Sequence, residues 1–243
     1  MKKLSLTALA LIATVTAASA QQINLGAIGQ ADGATVGYII QMFGLLTVLS
    51  VAPGLLIMVT SFTRFVIAFS ILRAGMGLQS TPANLILISL SLFMTFYVMA
   101  PTFDQAWNNG VKPLMNNEIT QQQALERISD PFRQFMVKHV RDKDFDLFAD
   151  LAREKGQTIS RENVDLRVLV PAFMISEIRR GFEIGFLIVL PFLVIDLIVA
   201  TITMAMGMMM LPPTVVSLPF KILFFVLIDG WNLLVGSLVR SFS

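Results

Sequence analysis

Between Ile184 and Leu211 the chain runs for 28 residues with a single charge, Asp196, and nothing else in the sequence narrows the possible folds as much. About 20 apolar residues in a helix cross the hydrocarbon of a bilayer, so this run is long enough to span it with residues to spare. A second generous stretch lies in the uncharged window 33–63, with its core at about 38–59. Two shorter apolar segments follow the same pattern, at about 85–100, ended by Pro101, and at about 222–239. Composition agrees, with 55% apolar and 14% charged residues where soluble domains carry about a quarter charged. The expectation is an all-α, membrane-associated protein.

The N-terminus has the form of a processing signal. Lys2 and Lys3 precede an apolar stretch from Leu4 to about Val15, and Ala18-Ser19-Ala20 supplies the small residues at which such signals are cut. Cleavage after Ala20 is expected, which leaves residues 21–243 as one domain. Losing the two lysines takes the formal charge from +2 to zero, and no basic stripe appears elsewhere, so nucleic-acid binding is not expected. The chain has no cysteine, which removes disulfides, thiol chemistry and thiolate metal sites. A single histidine, His139, does not make a zinc site by itself. No cofactor and no catalytic residue is expected.

Water must meet the chain at about 102–167, which holds 10 of its 18 basic and 11 of its 16 acidic residues. Leu125, Ile128, Phe132, Phe135 and Met136 recur there at helical spacing, interrupted by Pro131. Phe145, Phe148 and Leu151 point to a second short amphipathic helix. A small solvated helical cap is expected, on the extracytoplasmic side if the signal is cut there. The 60–84 loop with Arg64 and Arg73, and Lys221, then face the cytoplasm, as positive charge tends to. Arg179 and Arg180 do not fit that four-span arrangement.

Two carboxylates, Asp196 and Asp229, sit inside apolar runs, where insertion of an aspartate costs about 2.5–3.5 kcal/mol. Each needs a cation, a wet cavity or burial in protein. Lys221 is the nearest cation in sequence, in the first turn of the last helix if Ser217 caps that helix and Pro219 opens it. Both aspartates are expected to be hydrogen-bonded and to fix helix register. An ion- or proton-coupled transporter subunit using Asp196 and Asp229 is the alternative, and a carboxylate enzyme built on Asp142, Asp144, Asp146 and Asp150 is a more distant one. Glu177, Arg179, Arg180 and Glu183 form a charged knot whose three- and four-residue spacings allow Glu177–Arg180, Arg180–Glu183 and Arg179–Glu183 pairs. The same knot suits an interface between subunits.

Met204, Met206, Met208, Met209 and Met210 fall within seven residues, just before Pro212-Pro213. Methionine is unbranched and polarizable, so such a cluster repacks around irregular shapes, in a seal or in ordinary packing. Pro53 and Pro191 lie inside apolar runs and are expected to kink or break their helices.

The stretches PAFMISEIRRGFEIGF and PFLVIDLIVA, adjacent and in that order, resemble the signature stretches of the FliP family, the export-gate subunit of flagellar type III secretion, whose injectisome relatives are called SctR. TSFTRFVIAFSILRAGMG, SLFMTFYVMAPTFDQAW and SLPFKILFFVLIDGWNLL extend the resemblance from about residue 55 to the end. The cleavable signal favours the flagellar branch. The resemblance implies kinked helical hairpins, several copies of the chain (a pentamer in the family), and FliQ, FliR, FlhB and FlhA as partners. It implies unfolded flagellar proteins as substrates, and a place in the inner membrane and the flagellar basal body, largely on the periplasmic side. It implies a methionine-lined constriction at Met208, Met209 and Met210. Glu177, Arg179, Arg180, Glu183, Asp196, Lys221 and Asp229 carry over as assembly or ion-pair candidates.

Overall fold

The computed structural model describes residues 33–156, 164–207 and 212–242, and the chain divides after Ala52 into two compact units. The described residues are helical, without strands. Helix α1 (Gly33–Val59) supplies the described part of the first unit, where Tyr38, Phe43, Leu45 and Leu49 are exposed. The signal stretch 1–20 lies outside the described residues.

The second unit is organised around α2 (Phe62–Gly75) and α7 (Leu166–Ala205). Phe65, Ala68, Phe69 and Leu72 recur at three- and four-residue spacing and bury one face of α2. Opposite α2, α7 offers Gly181 and Gly185, one turn apart. A Cβ at Gly181 would stand 3.0 Å from the Ile67 side chain, and one at Gly185 would stand 2.8 Å from Ile71. At the far end of the contact the roles reverse, and a Cβ on Gly75 would fall 2.3 Å from Val189. Small residues at helical spacing thus let two backbones approach closely, as in membrane helix pairs.

With 40 residues and about 1.5 Å of rise each, α7 is roughly 60 Å long, enough to serve two cores. Its first half packs Val168, Leu169, Ala172 and Phe173 against Met136 of α5 (Gln121–His139) and Phe145, Ala149 and Ala152 of α6 (Asp142–Glu154). This is the small helical region that the charge distribution requires. Its second half packs Phe192 with α2, with Leu87 of α3 (Asn84–Ala106), with Phe225 of α8 (Pro213–Leu227) and with Leu234 and Leu238 of α9 (Gly230–Arg240).

Local chemistry sets the helix ends. Thr120 and Gln123 form a reciprocal capping box at the start of α5, with bonds of 3.0 and 3.4 Å. Asp142 and Asp144 place negative charge in the first turn of α6, where the helix dipole favours it. Asp165 caps α7 by accepting from the Arg167 N–H at 2.9 Å. Helix α7 therefore opens five residues before Pro171 and continues through Pro191 without a break. Helix α3 likewise continues past Pro101 to Ala106, followed by a π-helical turn at Trp107–Val111 and the short α4 (Lys112–Met115). Gly110 of that turn allows α5 to approach, since a Cβ there would meet Ile128 at 2.4 Å. Pro131 also lies inside its helix.

By length and composition, Asn84–Met115 and Leu166–Ala205 can each cross a membrane. The number rises to four if α1 and the pair α8–α9, which bends by 64°, each count as one span.

Candidate functional site

Two ion pairs, one fully buried and one partly buried, join α2, α7 and the C-terminal helices. At the first, the Arg64 and Glu177 side chains are both fully buried. Arg64 donates from Nε to Glu177 Oε2 at 2.8 Å and from Nη2 to Glu177 Oε1. Its Nη1 donates to the Ser241 carbonyl at 3.0 Å and to Ser241 Oγ at 2.7 Å. Its Cζ lies 3.5 Å from the centre of the Phe242 ring. The planar guanidinium fork matches the carboxylate on one edge and ties down the C-terminal segment on the other. Sequence spacing pairs Glu177 with Arg180; the fold pairs it with a residue 113 positions away.

The second pair is Lys221 with Asp196. Lys221 Nζ donates to Asp196 Oδ2 at 2.6 Å and to the Gly75 carbonyl at 3.1 Å, while Ser217 Oγ lies 2.5 Å from Asp196 Oδ1. Lysine, carboxylate and hydroxyl thus lock α8 to α7 and to the end of α2. Helix α8 opens at Pro213, so Ser217 is inside the helix rather than its cap, and Lys221 sits in the third turn rather than the first. Proline needs no N–H partner at a helix start, which favours the earlier opening.

Asp229 behaves differently from Asp196. It is exposed, stands at the break between α8 and α9 with φ of +51°, and its side chain caps nothing. The expectation of a buried, hydrogen-bonded Asp229 is therefore corrected. The helix has already ended at Leu227, and a short polar residue tolerates the left-handed backbone that the turn requires.

In the charged knot, Arg179 and Glu183 pair at 2.8 Å on an exposed face. Arg180 pairs with no carboxylate among the described residues. It lines a cavity of about 420 Å³ with Arg64, Arg141, Glu183, Ile184 and Ser241. Arg141 lies between α5 and α6, where Ser176 Oγ accepts from its backbone N–H at 3.1 Å and donates to Asp144 at 2.7 Å. His139 is buried between Phe135 and Phe242, with ring centres 4.6 and 5.4 Å away. Burial, then the Arg64, Lys138 and Arg180 charges, push its pKa down to about 4. The described His, Asp and Glu residues form no group of three placed to hold a metal ion. Met208, Met209 and Met210 lie outside the described residues.

Arg64, Ser241 and Phe242 are site residues that sequence reasoning missed. Each is far from Glu177 along the chain, and only the isolated charge of Arg64 at the edge of an uncharged window hinted at a fixed partner.

These features define a helical, membrane-associated protein whose Glu177 and Asp196 are each engaged by a cation from another helix. The profile of the FliP family matches residues 45–238, and the chain belongs to that family. It is 75% identical over 215 residues to "Flagellar biosynthetic protein FliP" of Agrobacterium fabrum (strain C58 / ATCC 33970), covering 88% of each chain. It is 76% identical over 212 residues to the protein of that name from Rhizobium meliloti (strain 1021), covering 87% of this chain and 86% of the relative. Its identity to the Bacillus subtilis (strain 168) protein of that name is 49% over 212 residues, or 87% of this chain and 95% of the relative.

Proposed function

We propose that the chain is a non-enzymatic subunit of the flagellar type III protein export gate. Copies of it assemble side by side in the inner membrane and basal body, largely on the periplasmic side, and enclose a passage for unfolded flagellar proteins. FliQ, FliR, FlhB and FlhA are its proposed neighbours. Family membership supports the setting. The observation that carries the assembly reading is the division of labour on the helices. Asp196 and Glu177 are satisfied internally, while long apolar faces such as Leu85, Phe93, Leu223 and Leu233 stay exposed. A subunit whose in-helix acids are matched from within and whose outer faces are greasy is suited to packing against sister helices.

Met208, Met209 and Met210 are the proposed constriction of that passage. Replacing all three by alanine is expected to make resting cells leak small ions while the gate still assembles. Cells that stay tight and export normally would show these methionines to be packing residues. Engagement of Asp196 by Lys221 and Ser217 favours a structural role over a proton relay. The expected result for Asp196→Asn with Asp229→Asn is unchanged proton flux in liposomes.

A further inference from the structure

The cavity beside Arg180 carries more positive charge than the fold consumes. Arg64 is matched by Glu177, and Glu183 is matched by Arg179. Arg180 has no carboxylate partner among the described residues. Arg141 Nη1 is buried without a hydrogen bond, its closest carboxylate oxygen on Asp144 lying 3.9 Å away. Arg180 therefore reaches a cavity of about 420 Å³ with donors that no carboxylate takes up, and Arg141, from another part of the fold and only loosely paired with Asp144, lines the same cavity. Guanidinium donors recognise the oxygens of a phosphate in paired bonds.

The surroundings say which phosphate. Glu183 and Ile184, which also line the cavity, are where α7 turns from charged to apolar, with no further charge before Asp196. From Glu183 the helical spacing continues through Leu187, Leu190, Val194 and Leu197, and all four are exposed. A polar, positively charged cavity opening onto an apolar helical stripe has the shape of an amphiphile in relief. We propose that this cavity binds the phosphate headgroup of an anionic phospholipid, whose acyl chains lie along the Leu187–Leu197 stripe.

Native mass spectrometry of the full chain in neutral detergent, titrated with phosphatidylglycerol or phosphatidylcholine, tests this. Phosphatidylglycerol is expected to bind selectively, and Arg180→Gln to weaken it about fivefold, the effect of one basic residue at an anionic lipid surface. Arg179→Gln, outside the cavity, is expected to leave it unchanged. Equal retention of the two lipids, or equal phosphatidylglycerol binding by Arg180→Gln and wild type, would overturn the site. Displacement by inorganic phosphate mole for mole would assign it to a free anion instead. Loss of self-association in Arg180→Gln with lipid binding intact would assign Arg180 to a carboxylate of a second copy. Should Arg180→Gln not fold, a photoreactive phosphatidylglycerol on the wild-type chain decides: labelling of 184–197 supports the site, and labelling only elsewhere rejects it.

Discussion

Arg64 and Glu177 show how a buried charge is made tolerable in this protein: each is fully enclosed, and each is enclosed by the other. Taking one charge from such a pair strands its partner, at a cost of about 3–5 kcal/mol. Glu177→Gln is therefore expected to lower the thermal midpoint of the purified protein sharply. Glu177→Leu combined with Arg64→Met should recover part of the loss. Arg64→Lys should not behave as a conservative change, because an ammonium cannot fork to Glu177 and Ser241 together. His139 gives a residue-scale pH dependence. Its ordinary pKa of 6.5 falls to about 4 in the fold, so the folded state binds fewer protons than the unfolded one between those values. Its contribution to stability is complete above pH 6.5 and is lost as pH falls toward 4. Melting curves at pH 7 and pH 5 should differ less for His139→Gln than for the wild type.

Most helix positions followed from apolar runs or amphipathic spacing, but the 60–84 stretch, expected as a loop, holds α2, whose buried face packs on α7, and helix ends were not legible either. Pro101, Pro131 and Pro191 were each read as stops, kinks or interruptions, and each lies within a helix. A proline removes one backbone bond and crowds the preceding turn, and packing on both sides can hold the helix together across that gap. Pro131 is itself buried, and Phe192, next to Pro191, is part of the core. The glycines of α7 were equally silent in one dimension. Gly181 and Gly185 look like flexible points in a helix, yet they are the surface on which α2 lies. Gly185→Val is expected to push α2 away at a cost of about 1–3 kcal/mol. Cysteine pairs placed across the contact should then cross-link more slowly than in the otherwise unchanged protein.

At the scale of the molecule, exposed apolar surface is the dominant fact. Leu187, Leu197, Leu223, Leu227 and Leu233 are all more than half exposed in the isolated chain. Contiguous apolar surface of this kind marks a membrane or partner interface. The native mass of the detergent-extracted complex is expected to be several times that of one chain, which is 26.8 kDa before any cleavage. A stable monomer under extraction conditions that preserve the basal body would contradict side-by-side assembly.

The helical, membrane-associated character and the small polar region were legible in the sequence, because apolar length and charge segregation act through solvent and need no knowledge of contacts. The Asp196–Lys221 pair was half legible: a carboxylate in an apolar run demands a cation, and the chain offers few. Tertiary structure alone decided that Glu177 meets Arg64, that Arg180 is left over, and that Asp229 sits at a helix break on the surface. Such pairings depend on which helices cross and at what depth. That choice is made by close packing between residues distant along the chain, and it leaves no local periodic signature.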